Sequence, residues 1–265
     1  MLLSFIEWSV SPEIFNLGPV SIRWYGFLFA MAFAAGYFIM GWMYKQENKP
    51  KNDVEQLAVY MIFGTVIGAR LGHCLFYNPV YYLSNPVEIL KVWEGGLASH
   101  GAAIGIVVAL YLLVKKKKDI SLLWILDRVV IVTALGGSFI RLGNLFNSEI
   151  IGKPAEVPWA FIFPVIDDVP RHPAQLYESI AYLIIFIVLI FIYYKKRNAL
   201  GRGYLFGLFL VLVFAFRFFV EFLKENQSGF EAGMALNMGQ LLSIPFIIAG
   251  IIFIIKSYKL KKEIK

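Results

Sequence analysis

The sequence predicts an all-α fold: a polytopic transmembrane helical bundle of about seven spans, with its N-terminus outside and its C-terminus in the cytoplasm. Three observations carry this. Of the 265 residues, 59% are hydrophobic and only 16% charged, with a mean hydropathy of +0.68. A soluble chain needs enough polar side chains to cover its exterior, and this composition does not supply them. Second, seven apolar stretches approach or exceed the roughly 20 residues that a helix needs to cross the hydrocarbon core. Third, basic residues gather at alternate connections between those stretches.

The spans fall at 20–44, 56–77, 97–114, 121–142, 174–194, 203–223 and 238–255, the third and seventh being short. Lys45, Lys49 and Lys51 follow the first span. Lys115, Lys116, Lys117 and Lys118 follow the third, and Lys195, Lys196, Arg197 and Arg202 the fifth. Lys256, Lys259, Lys261, Lys262 and Lys265 follow the seventh. The opposite connections hold only Lys91, Lys153, Arg171 and Lys224. Positive charge concentrates on the cytoplasmic side, which sets the orientation. An even number of spans would break the alternation. The net charge of +7 therefore reads as anchorage beside anionic lipid, and no nucleic-acid partner is expected.

The longest outer segments, 78–96 and 143–173, are too short to fold alone, so residues 1–265 are expected to form a single integral membrane domain. The opening stretch has no basic region ahead of its apolar residues and carries Glu7 and Glu13, so a cleavable signal peptide is not expected. Cys74 is the one cysteine, which excludes an intramolecular disulfide. With three histidines besides, little is present to build a structural zinc site, and no metal is expected.

Five basic residues stand apart from the topology pattern: Arg23, Arg70, Arg128, Arg141 and Arg217 lie within or at the edges of apolar spans. A charge at the bilayer centre costs about 2.5–3.5 kcal/mol on insertion scales, so each needs a partner, a cavity or a task. Asp127, Glu178 and Glu221 are the acidic counterparts. Asp127 and Arg128 are adjacent and face different sides of a helix, as structural pairs to neighbouring helices would. Arg23 can snorkel to the interface. Arg217 and Glu221 share a face at i, i+4, either as a self-neutralising pair or with Glu221 holding Arg217 for a phosphate.

Gly68-Ala-Arg70-Leu-Gly72 through Asn78 resembles Phe139-Ile-Arg141-Leu-Gly143 through Asn147, each placing an arginine about two turns before a span gives way to an outer loop. Two such arginines in one outward cavity would match a phosphate bidentately. The glycine pairs Gly95–Gly96 and Gly136–Gly137 allow close approach or a break in the backbone.

The segment Arg141-Leu-Gly-Asn144-Leu-Phe-Asn147-Ser-Glu149-Ile-Ile-Gly152 is similar to the signature of the bacterial prolipoprotein diacylglyceryl transferases, departing at Ile140 and Leu145. Further blocks follow the family order. Ile22-Arg23-Trp24-Tyr25-Gly26 resembles its first span, and Gly95 through Gly101, with His100, its His-Gly segment. Arg171-His172-Pro173-Ala174-Gln175-Leu176-Tyr177-Glu178, Arg217 through Phe222, and Met238 through Pro245 resemble three later motifs. Lys224-Glu225-Asn226-Gln227 departs from the family's Arg-x-Pro-Asp ending, and Val213 stands where some members carry Tyr.

The resemblance implies an enzyme of the bacterial cytoplasmic (inner) membrane with its active site toward the outer side. It would move the diacylglyceryl group of phosphatidylglycerol to the lipobox cysteine of a preprolipoprotein, forming a thioether and releasing glycerol-1-phosphate. This is the first step of lipoprotein maturation and uses no cofactor; the partners are phosphatidylglycerol, the lipobox segment and membrane lipid. On this reading Arg141 and Arg217 clamp the phosphate, with Tyr25 and Asn144 as neutral hydrogen-bond partners. Guanidinium donors aimed at the charge that grows on the leaving phosphate would lower the barrier. Glu149 and Glu221 orient the arginines, or Glu149 meets the glycerol headgroup, and Arg70 is a further candidate ligand.

A free thiol near pKa 8.5 is only slightly ionised at neutral pH, so a base would help. His100 is the expected base, although another group, or none, remains open. His73 and His172 are read as packing or loop-structural residues. Cys74 is not expected to act as a nucleophile, because the family transfers directly to the substrate thiol. The competing class is a transporter or channel for an anionic solute, which buried arginines would also serve. A non-catalytic membrane scaffold would not need so many polar groups inside its spans.

Overall fold

The computed structural model describes residues 5–263 except 19, 118, 227–230 and 232; Lys118, Gln227 and Lys265, named above, lie outside the described residues. Strands β1 (Ile6–Glu7), β2 (Glu13–Leu17) and β3 (Val20–Arg23) precede helix α1 (Trp24–Gln46). Helices α2 (Lys51–Tyr77), α3 (Pro79–Ser84), α4 (Pro86–Ile89), α5 (Ser99–Lys116) and α6 (Leu122–Phe146) follow. After strands β4 (Phe161–Phe163) and β5 (Asp167–Arg171) come helices α7 (Ala174–Lys196), α8 (Tyr204–Val220) and α9 (Met238–Glu263). Seven described helices, namely α1, α2 and α5 to α9, are long and apolar enough to cross a membrane. That is the number expected.

Several boundaries move, each for a physical reason. The first helix starts at Trp24 rather than residue 20, because Val20–Arg23 pairs antiparallel with Glu13–Leu17. Arg23 consequently ends a strand and faces Glu13 at 3.9 Å. Helix α2 begins five residues early, at Lys51, with Pro50 in the extended N-cap position. Its first turns are polar but helix-competent, and hydropathy marks the apolar run rather than the helix. For the same reason α9 continues into the lysine-rich tail, accommodating Pro245 in its interior.

The chain forms two compact units, residues 1–36 with 126–265, and residues 37–125. In the first unit the helices are supplemented by two small sheets, which the all-α expectation did not include. One is the β2–β3 hairpin; in the other, β4 pairs parallel with β1 and antiparallel with β5. Phe161 and Phe163 of β4 and Leu145 of α6 make a local apolar core, joined by Trp8, Ile151 and Leu176. Trp8 stacks on Phe161 at 5.5 Å, and Phe146 stacks on Trp24 at 4.8 Å. The strands are too short to show an alternation in the sequence; what holds them is this aromatic cluster. Arg171 closes the β4–β5 turn on Asp167 (2.5 Å) and reaches Glu225 (2.8 Å). That arginine holds the Asp167 carboxyl below its ordinary range, so the tie is complete at neutral pH and loosens as acid protonates it.

Helices α8 and α9 pack backbone to backbone: a Cβ at Gly207 would lie 2.6 Å from the Gly250 carbonyl oxygen. Asp127 meets its expectation of a neighbouring-helix partner through the main chain, accepting the N–H groups of Gly203 (2.7 Å) and Phe206 (2.8 Å) at the start of α8. A carboxylate suits a helix N-terminus, where unpaired N–H groups converge. Arg128 lies over the Tyr193 ring at 5.9 Å. Ser138 of α6 and Ser179 of α7 exchange buried hydrogen bonds at 2.9 and 3.0 Å, which sets the register of those two helices.

In the second unit α2 and α5 meet along glycines. Gly64, Gly68 and Gly72, four residues apart, oppose Ala109, Gly105 and Gly101. A Cβ at Gly68 would sit 2.7 Å from the Gly105 Cα, and one at Gly72 would sit 2.6 Å from the Gly101 Cα. Lipid tails give apolar helices no hydrophobic reason to associate, so close backbone approach supplies the van der Waals contact instead. At the far end of the unit Lys49 pairs with Asp119 (2.9 Å), Lys117 with Asp53, and Trp124 Nε1 donates to Glu47 (2.9 Å). Lys49 keeps the Asp119 carboxyl below its usual range.

Candidate active site

Within the first unit, the ends of two spanning helices, α6 and α8, and the starts of two others, α7 and α9, gather six charged or amide side chains that apolar spans would otherwise exclude. Arg141, near the end of α6, points its Nε at Glu178 of α7 (3.2 Å) and also hydrogen-bonds Tyr182. Glu178 is fully buried, and Tyr182 donates to its other oxygen at 3.3 Å. Arg217 of α8 faces Glu221 one turn later at 3.6 Å, the pairing its i, i+4 spacing predicts. Glu221 is also held by Asn237 Nδ2 (3.1 Å) and Lys224 Nζ (2.8 Å). Lys224 then reaches Glu178 at 3.8 Å, linking the two arginine pairs into one cluster.

Local sequence explains how each element reaches its place. Asn237 and Gln240 cap α9 reciprocally, with each backbone N–H donating to the other's side-chain oxygen. This leaves the Asn237 amide free to face Glu221. Gly239 passes so close that a Cβ there would stand 2.5 Å from the Glu221 carboxyl carbon. Gly143, inside the Arg-Leu-Gly-Asn run, makes room for Tyr25, whose Cδ2 would lie 2.8 Å from a Cβ at that position. Tyr25 is thereby within electrostatic reach of Arg141 and Glu149.

After α6 the chain turns through Asn147, Ser148, Glu149 and Ile150. Ser148 and Ile150 adopt left-handed φ of 53° and 57°, a conformation unfavourable for a β-branched residue. Such strain persists only where surrounding contacts impose it, and it concentrates at functional sites. Here the contacts are visible. Gln175 Nε2 donates to the Glu149 carbonyl (2.5 Å), and Gly152 is wedged where a Cβ would lie 2.6 Å from that of His172. Among the described residues, the buried oxygens Asn147 Oδ1 and Gln175 Oε1 have no hydrogen-bond partner.

The structure brings Tyr25, Arg141, Asn144, Glu149, Arg217 and Glu221 into this unit. Glu149 touches no arginine directly: it accepts from Asn144 and Asn147, both at 3.1 Å, and Asn144 in turn accepts from Arg141 at 3.1 Å. The carboxylate facing Arg141 is Glu178, which sequence reasoning noted as anomalous without giving it a partner. Lys224 was missed altogether, counted as an outer-loop charge, yet its side chain is 97% buried; its exposure is 3%. Its signal was the i, i+3 spacing to Glu221.

His172 takes a structural place. Trp159 Nε1 donates to the Tyr177 hydroxyl (2.7 Å), which lies 3.2 Å from His172 Nδ1.

Arg70 and His100 belong to the second unit. Arg70 engages backbone carbonyls on every side: Nε to Ile89 (3.0 Å), and the terminal nitrogens to Glu88 (2.5 Å) and Gly95 (2.6 Å). Its guanidinium thus pins the segment between α2 and α5. Gly95 and Gly96, at φ 88° and 67°, provide the backbone break at the Gly95 carbonyl. His73 stacks on Tyr77 at 5.3 Å. His100, exposed in the first turn of α5, sets its ring edge-on to Phe76 (5.1 Å) and beside Tyr77 (6.0 Å). Cys74 is buried and free.

The arrangement suits an anionic group approached by several donors from a largely dry site. Comparison with known proteins points the same way. Residues 12–256 match the family model described as prolipoprotein diacylglyceryl transferase. The chain is 51% identical to the phosphatidylglycerol–prolipoprotein diacylglyceryl transferase of Chloroherpeton thalassium over 97% of its own length and 96% of that protein's. It is 48% identical to the protein of that name from Tolumonas auensis, covering 96% and 98% of the two chains. A relative from Bacteroides fragilis, named likewise, is 48% identical over 100% and 99%.

Proposed function

This chain belongs to the prolipoprotein diacylglyceryl transferase family, and from that premise we propose that it transfers the diacylglyceryl group of phosphatidylglycerol to the lipobox cysteine of a preprolipoprotein. The observation that carries the reading is the pair of guanidiniums, Arg141 on Glu178 and Arg217 on Glu221, joined in one cluster through the buried Lys224. The site faces the outer side of a bacterial cytoplasmic membrane, the orientation that the lysine-rich connections favour.

In the reaction the cysteine sulfur attacks the diacylglyceryl carbon bonded to the phosphate oxygen. The carbon–sulfur bond forms as the carbon–oxygen bond breaks, and the bonding pair leaves on oxygen as glycerol-1-phosphate. The thiol proton passes to a base. Negative charge on the phosphate grows as the bond breaks, and Arg141 and Arg217 stabilise that growth because their carboxylates hold the guanidiniums in place beforehand. Asn144, Asn147 and Glu149 form a hydrogen-bonded row beside Arg141 that suits the hydroxyls of the glycerol headgroup. Tyr25 closes that side. Purified protein supplied with labelled phosphatidylglycerol and a lipobox peptide tests the reading. Folded protein that makes no labelled thioether would refute it.

His100 is the proposed base, a solvent-accessible imidazole in an aromatic setting. Only a neutral imidazole can accept the thiol proton, and an imidazole within reach of the incoming sulfur would take it as the carbon–sulfur bond forms. His100→Gln is expected to lower kcat by about 10²-fold or more while leaving the lipid KM nearly unchanged. Single-turnover assays at saturating lipid measure it. An unchanged kcat in the variant would assign the base elsewhere.

A further inference from the structure

We propose that Lys224 is the residue that selects an anionic over a zwitterionic lipid, by leaving the buried cluster with one formal positive charge in excess. The inference rests on the function proposed above and names a residue for its lipid preference. Arg141 and Arg217 each have a carboxylate of their own, Glu178 at 3.2 Å and Glu221 at 3.6 Å, so those two pairs are formally neutral. Lys224 is a third cation shared between the same two carboxylates, at 3.8 and 2.8 Å. Its side chain is as buried as the carboxylates it bridges, with 3% exposure.

An excess charge in a water-poor interior is costly to leave unmatched, and the cost is relieved by an anion. A phosphodiester lipid with an uncharged headgroup brings one negative charge and balances the cluster. A lipid whose headgroup carries its own cation brings no net charge and leaves the excess in place. The arginines alone would not discriminate in this way, since their charges are already matched.

The position of Lys224 in the chain suits the role. Its backbone is bridged to Gly152, while Lys153 N–H donates to Leu223 O (2.8 Å) and Glu225 N–H to Ile151 O (3.2 Å). Residue 224 is thus fixed between the end of α8 and the strained turn that carries Glu149. In this chain the position holds Lys where the resembled pattern has Arg. A compact ammonium can bridge two carboxylates as a point charge without needing a planar fork.

The test measures binding without turnover, so its outcome is independent of whether the transfer assay succeeds. Full-length protein in phosphatidylcholine nanodiscs is titrated with short-chain phosphatidylglycerol and, separately, with phosphatidylcholine of the same chains. The primary variant is Lys224→Gln, which retains an N–H donor toward Glu221 and removes the charge. The preference for phosphatidylglycerol is expected to fall on the order of tenfold. Lys224→Arg should keep it, and Lys224→Gln/Glu178→Gln, which returns the excess to one positive charge, should regain it. A Lys224→Gln protein that discriminates as the wild type does would overturn the proposal, and so would a double variant that stays indiscriminate. If the single variant does not fold, the double variant decides the matter by the same criterion.

Discussion

Replacing Arg141 or Arg217 with alanine is expected to abolish transfer while leaving the protein inserted. Each guanidinium supplies donors whose interaction strengthens as the phosphate gains charge, and loss of such a donor costs about two to three orders of magnitude in kcat. The two replacements should differ in their side effects. Arg141→Ala strips the direct cation from Glu178, which has no exposure, and leaves Lys224 at 3.8 Å as its nearest positive group. A buried carboxylate without its partner is strongly destabilising, so this variant should also lose thermal stability. Arg217 has 35% of its side chain exposed, and Glu221 retains Lys224 and Asn237, so Arg217→Ala should lose activity with a smaller stability change. Turnover assays paired with thermal unfolding in detergent separate the two effects. Near-normal turnover in either variant would remove the clamp.

Gly68→Leu is expected to have the largest effect on folding. Any Cβ there meets the Gly105 Cα at 2.7 Å, and the atoms it meets are main chain, which cannot rotate aside. Overpacking a core costs about 1–3 kcal/mol where side chains can adjust. Here α2 and α5 must separate, so that range is a lower bound. Gly41→Leu is the matched control, because among the described residues nothing lies within 4 Å of a Cβ at that position. Thermal unfolding should show a large drop for the first variant and little for the second. Equal stability of the two would mean that the helices do not meet through these glycines.

Much of the helical architecture was legible because spanning length and apolar composition are properties of one stretch of chain. Partner choice between stretches is not. Arg217 and Glu221 could be paired from spacing alone, since i, i+4 neighbours on one helix must meet. Arg141 and Glu178 sit on different helices, and no periodicity announces that their faces will be opposed. The Ser138–Ser179 contact joins the same two helices and is equally unannounced by the sequence. Lys224 misled for a related reason. It follows the last apolar residue of its span, where charges normally meet water, yet the bridge to Gly152 turns it inward. The Gly64-Gly68-Gly72 repeat was in plain view at the spacing expected of close helix pairs. It was passed over in favour of the glycine doublets, one of which, Gly95–Gly96, proved to be a backbone break.

The Arg141–Glu178 pair also bears on the order in which the protein can be made. Chains are synthesised from the N-terminus, and early segments settle before later ones exist. The glycine-faced pairing of α2 with α5 needs only segments that emerge early, so those two helices can pair before the later ones are made. Arg141 emerges on α6, ahead of the helix that carries Glu178 and well ahead of Lys224. For that interval the membrane holds a cation whose neutralising group has not been translated. Its insertion must be tolerated by location near a helix end, where a long side chain can reach the polar boundary. Assembly of the charged cluster is then a late event, completed only when α8 and the capped start of α9 close over it.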